Sequence, residues 1–423
     1  MLLDGWMRLF GDSEAAVRSL SALFGTATIL VAFLIGRRLA TARVGVVLAA
    51  VAAFNPLLVW FSQEARPYAL LVLLSGLSFL FFAQALEKPG KRALALWAAA
   101  SGLALATHYF AALLIVPEVV WLLARVRPRR QLVPAFAGVA LVLVALIPLV
   151  ATQGQVQDYS FVKGESFVTR VFAQVPKQWL VGYDAPAEVA TVLATVALVA
   201  AALVLAWLRA AGTERRAVVL GGGVGVSALA VALVLALLGG DYYLSRYLLA
   251  AWLPVMLAVA VGMGAQRSGR VGVAVAAGLC ALSLFVVLSV NERPELQRDD
   301  WRGIARTLGP APPGARAIVV SPINGSTPLG LYMPGLSKLG SAKVSEIDAV
   351  AVAEHRSGAT RHAPPIPSVP PPPDFHEIGR HSGPTFTVIR YQADIPLPVT
   401  PSSLGSFALE PGTPDYVLQP PAR

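Results

Sequence analysis

Long apolar runs separated by short polar segments fill the first 290 residues of the chain. Most runs reach the length of about 18 residues that an α-helix needs to cross roughly 30 Å of hydrocarbon. The pattern therefore predicts a mainly α fold, a polytopic transmembrane helical bundle of about ten spans. The predicted spans are residues 18–36, 44–61, 69–86, 93–107, 110–124, 132–151, 189–208, 217–238, 247–265 and 271–290.

The pattern changes after residue 290. A helical repeat at 299–306, a strand at 317–321 and a strand at 385–391 predict a small α/β appendage over residues 291–393. The proline-rich segment 362–375 is typical of a polyproline II loop. We expect 1–290 to be the transmembrane bundle and 394–423 to be an irregular tail.

Composition excludes a soluble domain, because 56% of residues are hydrophobic, mean hydropathy is +0.65 and only 14% are charged. The net charge of +10 reflects topology. Basic residues concentrate in alternate loops, which the positive-inside rule assigns to the cytoplasm. We expect a multi-pass plasma-membrane protein with an extracytoplasmic appendage and no nucleic-acid partner.

The heptad Ser62–Tyr68 places Glu64 and Arg66 between two apolar spans. Ionisable groups at the mouth of a membrane bundle are costly unless they face water, a partner or a substrate. This turn is therefore a candidate site. The alternative is a loop whose charges are solvated or pair with each other.

The external loop 153–188 interleaves aromatic and basic residues, among them Lys163, Lys177 and Trp179. Such a loop suits a helix in the lipid interface that receives a lipid tail and its phosphate, or a plain interfacial anchor. Cys280 is the single cysteine, so an intramolecular disulfide and a cysteine-based metal cluster are excluded. The histidines lack metal-ligand spacing, and no metal site is predicted.

A series of short motifs resembles the bacterial GT-C glycosyltransferases, and most closely glycosyltransferase family 39, the group of protein mannosyltransferases and aminoarabinose transferases. The resemblance covers about residues 5 to 320. Ser62–Tyr68 is its most specific part. The other motifs are residues 6–14 with Arg18, 36–39, Asn55-Pro56, 107–109, 245–248 and 300–302.

The resemblance implies transfer of a sugar, mannose-like in the first instance, from a polyprenyl-phosphate donor in the lipid bilayer. The acceptor would be a glycan, a lipid or a protein on the outer side. The family carries its catalytic acidic pair in the first external loop, and no such pair precedes Trp6. The catalytic residues are therefore unknown, and we expect a further span and loop upstream. A divalent metal is compatible with the superfamily, but no ligand set supports one.

Roles follow for individual residues as hypotheses. Glu64, Arg66, Arg246 and Tyr247 are candidates for binding the donor phosphate or forming the active site, and Arg246 is alternatively a snorkelling anchor. Candidate acceptor contacts or supporting hydrogen-bond donors are Tyr68, His108 and Tyr109.

Two other functions stay open: a catalytically incompetent membrane scaffold or fragment, and a lipid or solute transporter. A transporter would more often carry ionisable groups at the membrane midplane and internal repeats. In this sequence the charges gather at one face of the bundle.

Overall fold

The computed structural model describes residues 2–156, 166–240, 242–321, 324–353, 372–405 and 414–422. Two compact units comprise Met1–Leu288 and Ser289–Arg423. The helices of the membrane unit are α1 (Leu2–Phe10), α2 (Glu14–Leu39), α3 (Ala42–Phe54), α4 (Pro56–Ser62), α5 (Tyr68–Glu87), α6 (Lys91–Thr107), α7 (Ala112–Arg125), α8 (Val133–Val156), α9 (Phe167–Thr169), α10 (Val175–Val181), α11 (Glu188–Arg209), α12 (Thr213–Leu237), α13 (Trp252–Gly264) and α14 (Gly269–Glu292).

All ten predicted segments lie on these helices, which confirms the helical membrane bundle. Within the described residues, six helices are long and apolar enough to span a membrane, or seven if the bent pair α3–α4 is one span. Helices α6, α7 and α13 have only 17, 14 and 13 residues. They fall short of the roughly 20 residues of a full crossing. For α7 and α13 the apolar runs that predicted them include the adjoining turns at 109–111 and 249–251.

The break between α3 and α4 follows from Asn55-Pro56. Proline lacks the N–H that would continue the helix and disfavours helical backbone in the preceding residue. Asn55 accordingly has φ −61° and ψ 122°, and its side-chain oxygen accepts the backbone N–H of Leu58 to begin α4. The two helices meet at 62°.

Small residues allow the helices to approach closely. A Cβ at Gly262 of α13 would lie 1.7 Å from the carbonyl oxygen of Ala202 in α11, so only glycine fits this crossing. The outside of the bundle is apolar instead. Leu141, Val144 and Ile147 of α8 are more than half exposed, as side chains that face hydrocarbon should be.

Glu118 is an ionisable group inside the bundle, which corrects our expectation that the charges gather at one face. Glu118 of α7 is fully buried, and its Oε2 accepts hydrogen bonds from Ser78 Oγ at 2.7 Å and Trp97 Nε1 at 2.8 Å. Ser78 also shares a 2.8 Å hydrogen bond with Ser101. This carboxyl group therefore joins α5, α6 and α7.

Replacement of Glu118 separates its hydrogen-bonding role from its volume. Glu118→Leu leaves the Trp97 N–H without an acceptor and should destabilise the bundle by about 1–3 kcal/mol. Glu118→Gln keeps a carbonyl oxygen in place and should melt close to the wild type. Thermal unfolding of the purified chain in detergent measures both. Equal melting temperatures for the two variants would contradict this role.

The described α-helices and strands of the second unit are α15 (Trp301–Leu308), β1 (Arg316–Ser321), α16 (Ser326–Tyr332), β2 (Ser337–Lys338), β3 (Ala342–Val352), β4 (His376–Ser382), β5 (Phe386–Val399) and β6 (Asp415–Gln419). These strands form a six-stranded mixed sheet with the order β2-β6-β1-β3-β5-β4. β1 runs parallel to β3, and the other pairings are antiparallel.

Both faces of the sheet are covered. Along β1, Ala317 and Val319 join one core cluster, whereas Ile318 and Val320 join the other, together with Ile304 of α15. This alternation is that of a strand with two buried faces. The predicted helix and both predicted strands are present.

The irregular tail expected over 394–423 is wrong. β5 continues to Val399, and β6 lies between β2 and β1 in the sheet. β6 is only five residues long and pairs with strands far back along the chain, so no local pattern marked it. In the proline-rich segment 362–375, residues 362–371 lie outside the described residues.

A buried ionic network joins the sheet to the end of α15. The Arg316 guanidinium lies 2.9 Å from Asp348 and 3.0 Å from Glu346, and Arg390 lies 2.9 Å from Asp348. Both arginines also donate to the backbone carbonyl of Leu308, at 2.7 and 2.8 Å. The strand register explains the network, because Arg316 lies beside Glu346 and Asp348 beside Arg390.

Candidate functional site

Four loops of the membrane unit meet and bring together residues that are far apart in sequence. They are the turn between α4 and α5, the turn between α6 and α7, the segment after α10 and the segment before α13. Their central side chains form what we term the aromatic–arginine cluster: Tyr68, His108, Tyr183, Arg246 and Tyr247.

Ring contacts hold this cluster together. The His108 ring centroid lies 5.9 Å from that of Tyr68 and 5.8 Å from that of Tyr247. The Arg246 guanidinium stacks over the Tyr247 ring, 5.0 Å from its centroid. A planar guanidinium held against an aromatic face keeps its N–H donors directed around its edge. The cluster therefore presents a fixed cation within an aromatic wall.

Burial and the positive charge of Arg246 shift the pKa values of neighbouring side chains. Burial and, to a smaller extent, the positive charge of Arg246 together lower the pKa of His108 to about 4. His108 is therefore neutral at physiological pH and leaves Arg246 as the cation of the cluster. Burial raises the pKa of Tyr183 to about 12, so its hydroxyl keeps its proton and donates hydrogen bonds.

The Glu64–Arg66 turn borders the cluster. Glu64 is partly buried, whereas the Arg66 side chain is 58% exposed and lies 3.9 Å from the Glu64 carboxylate. Ser21 of α2 donates a 2.6 Å hydrogen bond to the backbone carbonyl of Glu64, which holds the turn against the bundle. Arg66 and Arg246 both interact electrostatically with Tyr68. Two guanidinium groups therefore contribute positive charge around Tyr68.

A cavity of about 290 Å³ lies next to this turn. Its wall is mostly apolar and comes from α2, α3, α4 and α5, with Ser62 and Gln63 at the side of the turn. A cavity with this lining accommodates hydrocarbon. Phe61, which lines it, contacts Tyr68 of the cluster with ring centroids 4.6 Å apart.

The structure corrects the interpretation of Lys177 and Trp179 as lipid-interface residues. Both are buried, at 8% and 5% exposure. Lys177 forms a 2.9 Å ion pair with Glu188 and also donates to the backbone carbonyl of Tyr183. A sequence that alternates aromatic and basic residues does not show whether those residues face the lipid interface or are buried inside the protein. Lys163 lies outside the described residues.

The other predicted site residues come together. Tyr109 packs beside His108 and Phe110, with ring centroids 5.3 and 4.7 Å away, next to the cluster. Tyr183 lies in the loop 153–188, which the sequence pattern related only to the lipid interface. The structure places its ring 5.4 Å from Trp60 and 6.0 Å from Phe61. No spacing in the sequence marked this position.

A metal ion requires several ligand side chains grouped around it. In the part of the chain that the structure describes, no three or more His, Cys, Asp or Glu side chains are grouped so that they could hold a metal ion.

Comparison with known proteins gives one family match. Residues 1–151 match the model of the dolichyl-phosphate-mannose-protein mannosyltransferase family. A search of curated protein sequences found no significant match.

Two solved structures of ArnT from Cupriavidus metallidurans are similar to this chain, one in the apo state and one bound to undecaprenyl phosphate. The identities are 15% and 14%, and each alignment covers 92% of this chain and 86% of the other at a TM-score of 0.37. That score is too low to assign residue roles in this chain from ArnT. The candidate site therefore rests on the contacts within this chain alone. The family match over residues 1–151 confirms, for that part of the chain, the resemblance that the sequence motifs indicated.

Proposed function

We propose that this chain is a membrane glycosyltransferase that transfers a sugar from a polyprenyl-phosphate donor. The observation that carries the proposal is that Arg246 and Arg66 both act on Tyr68, whose neighbour Phe61 lines an apolar cavity. A polyprenyl-phosphate sugar combines an anionic phosphate with a long hydrocarbon chain, and this arrangement offers a partner for each part. The family match over residues 1–151 agrees with this chemistry.

Arg246 would bind the phosphate of the donor. In the reaction the bond between the anomeric carbon and the phosphate oxygen breaks, and the anomeric carbon bonds to the acceptor oxygen. The acceptor hydroxyl gives up its proton to water or to the departing phosphate. Negative charge then grows on the departing polyprenyl phosphate. A guanidinium already fixed against Tyr247 stabilises that charge without further rearrangement.

Arg66 would serve as a second, more mobile contact. Its exposed side chain can reach a phosphate arriving from the membrane, whereas Glu64 is held closer to the bundle. The first isoprene units of the donor would occupy the cavity lined by Phe61 and Val72.

The finer points of the proposal are the sugar and the side of the membrane. Mannose is the first candidate, since it is the sugar named in the matching family. The alternation of basic loops favours the extracytoplasmic side for the cluster and for the sheet unit. The acceptor would be a glycan, a lipid or a protein of that compartment.

Reconstitution of the full chain in proteoliposomes tests this function. Radiolabelled polyprenyl-phosphate mannose is supplied with a membrane extract as the source of acceptors, followed by donors carrying other sugars. We expect label to pass into an acceptor fraction only when the chain is present. Movement of intact polyprenyl phosphate across the bilayer, with no transfer from any donor, would instead indicate a lipid transporter.

A further inference from the structure

The short helix α10 contacts both parts of the site. Asn55, at the bend between α3 and α4, donates from Nδ2 to the backbone carbonyl of Trp179 at 2.9 Å. The Trp179 indole N–H donates to the backbone carbonyl of Ser245 at 3.2 Å, and Ser245 Oγ donates to Gln178 Oε1. The bend leads through α4 to the Glu64–Arg66 turn, and Ser245 directly precedes Arg246.

We propose that α10, through Gln178 and Trp179, is the positioning element that fixes Arg246 relative to the Glu64–Arg66 turn. This inference deepens the proposed function, because the position matters most if Arg246 binds the donor phosphate. Gln178 and Trp179 lie outside the aromatic–arginine cluster and act on Arg246 through Ser245. They are positioning residues and not catalytic ones.

Burial gives these hydrogen bonds their strength. Asn55, Gln178, Trp179 and Ser245 are each 9% exposed or less. Water cannot replace a partner at such sites, and a buried polar group left alone is costly. Both the carbonyl and the hydroxyl of Ser245 are held by α10, so the backbone that carries Arg246 has little freedom.

The C-terminal end of α10 packs closely against the start of α4. Gly182 has φ +90°, a conformation that side chains disfavour, and a Cβ there would lie 3.1 Å from Cβ of Pro56 at the start of α4. The next residue, Tyr183, forms a hydrogen bond with the side chain of Ser245. α10 therefore contacts the bend at one end and the Arg246 segment along its side.

The test measures Arg246 itself and requires no donor. The full chain in nanodiscs is treated with phenylglyoxal, an arginine reagent, and modification of the peptide containing Arg246 is followed by mass spectrometry. Gln178→Leu and Trp179→Phe each remove one hydrogen bond to Ser245, and we expect Arg246 to react about tenfold faster in both. Gln178→Glu keeps an acceptor for the Ser245 hydroxyl and should restore the wild-type rate.

Trp207→Phe is the matched control, since Trp207 is 81% exposed in α11. Modification rates within twofold of the wild type for both Gln178→Leu and Trp179→Phe would overturn the inference, whatever the enzyme does. Should Gln178→Leu fail to fold, Trp179→Phe decides alone.

Binding of polyprenyl phosphate separates the two proposals. If Arg246 is repositioned, Gln178→Leu weakens binding of polyprenyl phosphate and Gln178→Glu does not. A different result would separate them. If Arg246 is modified faster in Gln178→Leu, but Gln178→Leu and Arg246→Ala both bind polyprenyl phosphate as the wild type does, Arg246 does not bind the phosphate. The positioning role of α10 would then still stand.

Discussion

Arg246→Ala lowers the rate of sugar transfer by about 100-fold, the usual loss when one preorganised donor to a developing negative charge is removed. The guanidinium lies over the Tyr247 ring, and its charge acts on Tyr68, His108 and Tyr183. Since His108 is neutral at physiological pH, it cannot replace the lost cation. Arg66 can, but its exposed side chain must be ordered first.

Steady-state transfer with the radiolabelled donor, together with equilibrium binding of polyprenyl phosphate, measures this effect. The transfer rate of Arg246→Lys should lie between those of Arg246→Ala and the wild type. Lysine keeps the positive charge but lacks the planar guanidinium with its paired N–H donors. Arg267→Ala is the control, as Arg267 is an exposed arginine in the turn before α14. Wild-type transfer and donor affinity in Arg246→Ala would leave Arg246 as a membrane anchor.

Arg316→Ala destabilises the sheet unit by about 3–5 kcal/mol, the cost of removing one partner from a buried ion pair. Arg316 is 1% exposed and Asp348 is fully buried, so neither can exchange its partner for water. Burial already raises the pKa of Asp348, and the charges of Arg316 and Arg390 oppose that rise. Without Arg316, Asp348 and Glu346 depend on Arg390 alone, and the carbonyl of Leu308 loses one of its two donors.

Hydrogen–deuterium exchange of β1 and β3 in the full chain measures the opening free energy of the unit. Arg380→Ala is the control in the same sheet, because its partner is Glu377 on the exposed strand β4. That variant should exchange like the wild type. Unchanged exchange of β1 in Arg316→Ala would show that the network contributes no stability.

Much of the fold could be predicted from the order of apolar and polar positions. Ten runs gave ten helical segments, and Asn55-Pro56 accounts for the broken one. The same pattern overestimated how many helices cross the membrane fully, since an apolar turn such as residues 249–251 before α13 cannot be told from the helix it precedes. β6 was missed because its partners β1 and β2 lie far away in the chain.

The candidate site was only partly visible in the sequence. Glu64 and Arg66 stood out because charge is rare between apolar spans. Arg246 and His108 stood out through short motifs. Tyr183 and Gln178 carried no such signal, and Trp179 stood out only as an interfacial aromatic residue. Their roles depend on contacts with Ser245 and Phe61, residues of other segments.

The sequence by itself determined that this chain is a helical membrane protein with a small mixed appendage and a charged turn between spans. These properties follow from local composition, which decides whether a segment prefers lipid or water. Only the tertiary structure decided that four loops meet around Arg246, that Lys177 and Trp179 are buried, and that Glu118 lies inside the bundle. Such contacts depend on how whole helices pack against one another, and no single segment encodes that packing.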